Sequence, residues 1–184
     1  MSAAAEYSSP VAGSTEPMRS VWLGVGLLVC AGAVALAQGG RNLPFPDIEL
    51  AEAEGSAVRL SQLKGNVIFL NFWATWCGPC RMELPIVQRL YDRYSDRNFV
   101  VLAVNLDADR RKIEPFLKRY NISLPVYFAA PEDAGQMTQM GIPSTFIVGP
   151  DRMLIDQFVG YSAAAEERWK QVIEKHLKAR KPPR

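Results

Sequence analysis

An apolar run that leads directly into a two-cysteine turn constrains the fold of this chain more than any other feature. Residues 67–74 read VIFLNFWA, and such a run of branched and aromatic side chains is typical of a strand buried on both faces. Cys77 and Cys80 follow in the turn WCGPC, after which apolar residues recur at helical spacing. The pattern predicts a buried strand, a tight turn and a helix that begins at the cysteines.

The segments on either side of this unit predict an α/β chain. Residues 47–59 alternate apolar and polar side chains around a short polar turn, which predicts a β-hairpin or two short strands. Apolar runs predict further strands over residues 99–106, 126–129, 145–148 and 153–159. Helical spacing predicts helices over residues 113–120 and 132–140, and a last helix after Ser162. This order of elements predicts a mixed central sheet flanked by helices on both faces.

The amino-terminal part of the chain contains an apolar segment that bears on localisation. Residues 21–37 carry no charge and are slightly shorter than the about 20 apolar residues that span a bilayer. One interpretation is a single transmembrane anchor in the inner membrane. The other is a signal peptide cleaved after Ala35-Leu36-Ala37, which has the small-x-small pattern of a cleavage site. Both interpretations export the rest of the chain to the periplasm or the cell exterior.

Composition divides the remainder of the chain. Residues 1–20 are mostly small and polar and predict a disordered tail. Residues 38–46 contain two glycines and two prolines and predict a linker to one globular domain at 47–180. The chain has 21 basic and 19 acidic residues, a net charge of +2, so its composition excludes a nucleic-acid-binding surface.

The counts of cysteine and histidine limit the chemistry that the chain can perform. It has three cysteines and one histidine, at Cys30, Cys77, Cys80 and His176. These ligands are too few for a closed structural zinc site, and Cys30 belongs to the apolar segment. We therefore expect no metal and no bound cofactor in the site.

Cys77 and Cys80 are placed for reversible thiol-disulfide chemistry. Free backbone N–H groups at the start of a helix stabilise a thiolate, the species that attacks a disulfide. Cys80 follows one helical turn later, within reach of a disulfide to Cys77. A purely structural disulfide is the weaker interpretation, because closing so short a loop gives little chain-entropy gain.

These motifs resemble the TlpA/ResA-like branch of membrane-anchored bacterial thiol-disulfide oxidoreductases. The segments FWATWCGPC and Ile142-Pro143-Ser144-Thr145-Phe146 are similar to those of thioredoxin-fold proteins, and CRMELP matches the C-x-x-E-x-P pattern of this branch. The resemblance covers roughly residues 43–178. It implies a thioredoxin fold with an N-terminal β-hairpin and a helix-strand insertion over residues 107–128.

The resemblance also implies roles for residues outside the cysteine turn. Pro143 is expected in the cis form beside the cysteines, where the backbone of Ile142 pairs with an extended substrate segment. Trp76 is expected to be exposed next to Cys77 and to contact substrate. Asn71 stands where minimal thioredoxins carry a buried Asp, and an amide cannot act as a general base. The proton-transfer role then falls to Glu83 or to water. The branch resemblance points to Glu83, for which the alternative is a surface carboxylate paired with an arginine.

We therefore predict an exported oxidoreductase that reduces disulfides of client proteins. The family suggests clients in cytochrome c or cytochrome oxidase maturation, a membrane electron donor that re-reduces the protein, and a monomeric soluble domain. The alternative from another class is a copper-binding or metallochaperone module, in which Cys77 and Cys80 are soft ligands for Cu(I).

Overall fold

The computed structural model describes residues 43–53 and 55–178. The strands are β1 (Glu49–Glu52), β2 (Ala57–Arg59), β3 (Val67–Trp73), β4 (Phe99–Asn105), β5 (Val126–Ala129), β6 (Ser144–Val148) and β7 (Leu154–Val159). The helices are α1 (Gly78–Tyr94), α2 (Ile113–Tyr120), α3 (Pro131–Met137) and α4 (Ala163–Lys178), and Leu60–Leu63 and Arg110–Lys112 form short 3₁₀ turns. The predicted tail, the apolar segment 21–37 and residues 38–42 of the predicted linker lie outside the described residues.

The strands form one seven-stranded mixed sheet in the order β2-β1-β5-β4-β3-β6-β7. All seven residues of β3 are buried, as its continuous apolar sequence predicts. It pairs parallel to β4 and antiparallel to β6, which places the cysteine turn that follows β3 near the middle of one sheet edge. The predicted α/β architecture with a mixed central sheet is confirmed.

The two faces of β3 belong to two separate cores. Alternate residues such as Phe69 and Trp73 pack with α1, α2 and α4, whereas Ile68, Leu70 and Phe72 pack with the opposite cluster. Met137 from α3 joins that opposite cluster, so helices cover both faces of the sheet. Two fully buried tryptophans anchor the first face, Trp73 of β3 and Trp169 of α4.

The predicted hairpin and insertion extend the sheet on one side. β1 pairs antiparallel with both β2 and β5, and β5 pairs parallel with β4. The insertion supplies α2 and β5, so the hairpin is joined to the main sheet through the inserted strand. Both features confirm the expectation drawn from the family resemblance.

Two boundaries differ by more than one residue from those expected. Residues 43–46 of the predicted linker pack on the domain: Pro44 bridges to Met153 and Phe45 is buried, so the folded part begins before residue 47. Helix α3 ends at Met137 rather than at residue 140. The chain leaves the helix because the Gly141 N–H donates to the Thr138 carbonyl at 2.8 Å and closes a turn, with Gly141 at φ +105°.

Within residues 43–53 and 55–178, no helix combines the length and the apolar character that are needed to span a bilayer. The predicted membrane segment lies outside those ranges.

Candidate active site

The two cysteines lie at the start of α1, where β3 delivers the chain. Cys77 is the N-cap of the helix, and the Cys80 backbone N–H donates to its Sγ at 3.1 Å. The two sulfurs form a disulfide with an S–S distance of 2.05 Å. Cys77 is 5% exposed and Cys80 is 0% exposed, so an incoming thiol or disulfide meets Cys77 first. In the reduced protein the same N–H would stabilise a Cys77 thiolate.

The loop before β6 packs against Cys77. The Ile142–Pro143 peptide bond is cis, as the family resemblance implies. The Ile142 carbonyl oxygen lies 3.7 Å from the Cys77 sulfur. Pro143 is buried, and its carbonyl accepts a 2.7 Å hydrogen bond from the Gly160 N–H, which ties the loop to the end of β7. The structure therefore brings Cys77, Cys80 and the Ile142–Pro143 bond together.

The tryptophan beside the cysteines projects into solvent. Trp76 is 64% exposed, although it directly precedes the buried Cys77. Trp73, three residues earlier, is fully buried in the core. The exposure of Trp76 beside Cys77 agrees with the expectation, and its contact with substrate stays a prediction.

Glu83 lies one turn after Cys80 on α1 and is fully buried. Its Oε1 accepts hydrogen bonds from Asn71 Nδ2 at 2.6 Å and from the Thr145 hydroxyl at 3.0 Å. Burial raises the pKa of Glu83 to about 8, against the opposing effect of these two hydrogen bonds. The alternative of a surface carboxylate paired with an arginine is wrong, because the helix turns this side chain toward the sheet.

A second polar network, which was not predicted from the sequence, holds the loop that carries Trp76. The Thr75 N–H and hydroxyl donate to the two carboxylate oxygens of Asp107, at 2.8 and 2.6 Å. Asn105 Nδ2 donates to the same carboxylate at 2.8 Å, and the Asp107 N–H donates back to Asn105 Oδ1 at 2.9 Å. On the solvent-exposed side of the loop, Arg81 Nε donates a hydrogen bond to the Thr75 carbonyl at 3.2 Å.

The sequence contains a signal for this network. Asn105 and Asp107 stand at the carboxyl end of β4, and Thr75 follows the carboxyl end of β3. Carboxyl ends of neighbouring parallel strands meet at one edge of a sheet, so polar residues at these two ends should meet. A prediction that β3 and β4 are neighbours in the sheet would have been enough to propose the contact between Thr75 and Asp107.

Within residues 43–53 and 55–178, other titratable residues do not join the cysteines in a metal site. Among the residues that the structure describes, His, Cys, Asp and Glu form no group of three or more suited to a metal ion. His176 lies in α4, where its Nδ1 is 2.8 Å from the Val172 carbonyl oxygen. Cys30 lies outside the described residues.

Comparison with known proteins places this geometry in a family. Residues 41–173 match the family model Redoxin. The chain belongs to the Redoxin family. The match spans the whole sheet and both parts of the site, from the hairpin to α4.

Curated relatives and a solved structure agree with this membership. The chain is 31% identical over 138 residues to thiol-disulfide oxidoreductase ResA of Geobacillus kaustophilus, covering 74% of this chain and 76% of the relative. It is 29% identical over 133 residues to ResA of Bacillus cereus, covering 72% and 73%. A Chlorobium tepidum crystal structure, described as a thiol:disulfide interchange protein DsbE, superposes with a TM-score of 0.67 at 32% identity, covering 74% of this chain and 97% of that one.

These findings confirm the expected resemblance to ResA-like proteins of thioredoxin fold. The chain is a thiol-disulfide oxidoreductase of the Redoxin family, with the Cys77–Cys80 pair as its redox-active centre.

Proposed function

We propose that this protein is an exported reductant of protein disulfides, with Cys77 as the attacking thiolate and Cys80 as the resolving thiol. The observation that carries the proposal is the unequal placement of the two sulfurs. Cys77 caps the helix, accepts a hydrogen bond from the Cys80 N–H and keeps a small exposed area of 5%, whereas Cys80 has none. Cys77 can therefore attack the disulfide of a folded or extended client, whereas Cys80 is not accessible to the client.

The reaction moves two electrons from the dithiol to the client. The Cys77 thiolate attacks one sulfur of the client disulfide, forms a mixed disulfide and releases the other client sulfur as a thiolate. Cys80 then gives its proton to the Glu83 carboxylate and attacks the Cys77 sulfur. The client leaves with both sulfurs reduced, and the protein keeps the Cys77–Cys80 disulfide.

Trp76, Ile142 and Pro143 form the proposed client contact. Trp76 offers an exposed apolar surface beside Cys77, and the Ile142 carbonyl faces the Cys77 sulfur at 3.7 Å. An extended segment around a client cysteine could contact both and could use the backbone of Ile142 as a hydrogen-bond partner. Because backbone contacts are largely independent of side chains, this arrangement favours unfolded clients of varied sequence.

The dipeptide between the cysteines supports the reducing direction. Gly78-Pro79 matches the thioredoxin end of the scale, near about −270 mV, rather than strong oxidants near about −120 mV. The clients that fit an exported reductant of this family are the haem-attachment cysteines of apocytochromes c and the copper-site cysteines of cytochrome oxidases. A membrane electron donor would then restore the dithiol after each turnover.

We place the domain outside the cytoplasm, either anchored by residues 21–37 or released after Ala37, and expect it to be monomeric. Membrane fractionation with carbonate extraction, together with the mass of the mature chain, tests this proposal. Retention in the membrane pellet supports the anchor, and a soluble chain that begins at Gln38 supports cleavage. A cytoplasmic chain of full length contradicts export.

A trapping experiment with single-cysteine variants tests the proposed roles. Cys80→Ser should accumulate a mixed disulfide between Cys77 and the client, because the resolving thiol is absent. The matched control Cys77→Ser should form no adduct and should lose insulin-disulfide reduction. Adducts on Cys80 in the Cys77→Ser protein would reverse the assigned roles.

Copper titration of the reduced protein separates this function from the copper-binding alternative. We expect disulfide reductase activity with at most weak Cu(I) binding, since two thiolates alone form an incomplete site. Tight stoichiometric binding of Cu(I) with negligible reductase activity would favour the metallochaperone instead.

A further inference from the structure

Three polar side chains form a closed cluster between the central strand and the active-site helix. Asn71 in β3 and Thr145 in β6 are directly opposite each other in the antiparallel register, and Glu83 of α1 packs onto both. All three are buried, with exposed fractions of 1% or less. Polar groups enclosed in this way need hydrogen-bond partners within the cluster.

Every hydrogen-bond donor of the cluster is already engaged. The two N–H bonds of the Asn71 amide are directed to Glu83 Oε1 at 2.6 Å and to Thr145 Oγ1 at 2.9 Å. The single hydroxyl proton of Thr145 is directed to Glu83 Oε1 at 3.0 Å. An amide has two N–H donors and a hydroxyl has one, so these two side chains have nothing left to donate.

Two acceptor oxygens of the cluster remain without a partner, Asn71 Oδ1 and Glu83 Oε2. Trp73 Nε1 lies on the same face of β3 but makes no hydrogen bond to either oxygen, since it too has no partner. If Glu83 were ionised, Asn71 Oδ1 and Glu83 Oε2 would both stay buried without a hydrogen-bond donor. A proton on Glu83 Oε2 is the one donor that the cluster itself can add, because Oε1 already accepts two hydrogen bonds.

We propose that Asn71 is a positioning residue that forms a two-bond acid–amide pair with protonated Glu83. In this pair Asn71 Nδ2 donates to Oε1, and the Glu83 Oε2–H donates to Asn71 Oδ1. The 2.6 Å contact between Asn71 Nδ2 and Glu83 Oε1 already joins the two groups, and their second oxygens meet when the amide and the carboxyl are coplanar. The pair defines which oxygen of Glu83 carries the proton.

The inference deepens the proposed function and rests on the proton-transfer role given there to Glu83. The proton that leaves Cys80 as the disulfide closes would come to rest on Oε2, where Asn71 holds it. Re-reduction would return that proton to the Cys80 sulfur as it leaves the disulfide. Asn71 thus takes a part in the cycle that an amide can perform without acting as a base itself.

The surroundings of Glu83 contain little else that could hold or repel a charge. Strands β3 and β6 carry no charged side chain. On α1 the charged residue closest to Glu83 in sequence is Arg81, which is exposed and donates to the Thr75 carbonyl. In the reduced protein Cys77 and Cys80 add two titratable thiols. The raised pKa of Glu83, about 8 in the oxidised protein, agrees with a neutral carboxyl at pH 7.

Infrared spectroscopy of the oxidised protein at pH 6 tests the pairing. We expect a C=O stretching band of a protonated carboxyl that is lost in Glu83→Gln, which assigns it. Asn71→Leu should move this band to higher wavenumber, because the acid proton loses its acceptor. The control Thr145→Ser keeps the hydroxyl and should leave the band in place. Absence of the band in the unmodified protein, or a band unmoved in Asn71→Leu, would overturn the proposal.

A second measurement needs no variant of Asn71 and covers the outcome in which Asn71→Leu does not fold. In carbon-13 NMR of the unmodified oxidised protein, the Asn71 side-chain carbonyl should shift over the same pH range as the Glu83 carboxyl. A Glu83 titration with a stationary Asn71 carbonyl would refute the pairing. Neither measurement uses a client or turnover, so a failure of the proposed reductase function would leave their results unaffected.

Discussion

Replacing Glu83 by glutamine should remove a large pH dependence from the stability of the oxidised protein. In the folded chain, burial raises the pKa of this carboxyl from 4.5 to about 8. Between these two values the folded state holds a proton that the unfolded state has lost. Stability is therefore greatest below pH 4.5 and falls as the pH rises through about 8.

The size of this effect follows from the shift. One pKa unit corresponds to about 1.36 kcal/mol, so the loss of stability across the interval amounts to roughly 5 kcal/mol. Glutamine has the shape of the protonated acid: its carbonyl can accept from Asn71 and Thr145, and its N–H can donate to Asn71 Oδ1. Glu83→Gln should thus keep the stability that the unmodified protein has at low pH, and should exceed it by up to about 5 kcal/mol above pH 8.

Chemical denaturation of the oxidised protein at intervals from pH 5 to pH 9 measures the difference. The disulfide removes the two thiols from the titration, and the other titrating groups cancel between the two proteins. The exposed Glu167→Gln, on α4, serves as the matched control and should follow the unmodified protein at every pH. Parallel curves for Glu83→Gln and the unmodified protein would refute the reasoning, because they would mean that Glu83 binds no extra proton on folding.

Three further changes have defined outcomes. Thr145→Val removes a hydrogen bond to the Glu83 carboxylate and should raise the pKa of Glu83 further, measured by carbon-13 NMR, whereas Thr145→Ser should not; an unchanged pKa in the valine variant would contradict the contact. Asp107→Asn should cost about 2–3 kcal/mol in urea unfolding and lower the rate of disulfide exchange, while the exposed control Asp96→Asn should cost less than about 0.5 kcal/mol; equal losses would count against the loop network. Trp169→Ala should destabilise the domain by about 3–5 kcal/mol in the same assay, since the indole is fully buried between two phenylalanine rings, and a loss below about 1 kcal/mol would contradict that packing.

Local pattern was sufficient to predict most of the secondary structure. The run at 67–74 became β3, and the insertion strand has the bounds 126–129 that were expected. These segments are recognisable because a strand buried on both faces must be apolar throughout, whatever lies beside it. The predicted end of α3 was wrong, because the helix ends at a turn from Thr138 to Gly141 and not at a change in composition.

The candidate site could be predicted only where its residues are close in sequence or share a motif. Cys77, Cys80 and Glu83 lie on consecutive turns of one helix, so their proximity follows from helical geometry. The contact between Asn71 and Thr145 depends on the register of β3 against β6, which joins positions 74 residues apart. A one-residue slip in that register would place Thr145 on the other face, and no local pattern fixes it.

The loop network around Asp107 escaped prediction for a related reason. Its carboxylate contacts a residue 32 positions earlier, across two neighbouring strands. Aspartate after a strand is also common in turns, so Asp107 indicates the contact only when the pairing of β3 with β4 is known as well.

A redox equilibrium titration of the Cys77–Cys80 pair tests the central claim most directly. The unmodified protein is equilibrated in buffers of defined dithiol-to-disulfide ratio, and the fraction of oxidised pair is read by thiol alkylation and mass spectrometry. The proposed reductant should have a potential near the reducing end of the thioredoxin-like scale, about −270 mV. A potential near about −120 mV, the value of a strong oxidant, would contradict the claim that this protein reduces its clients.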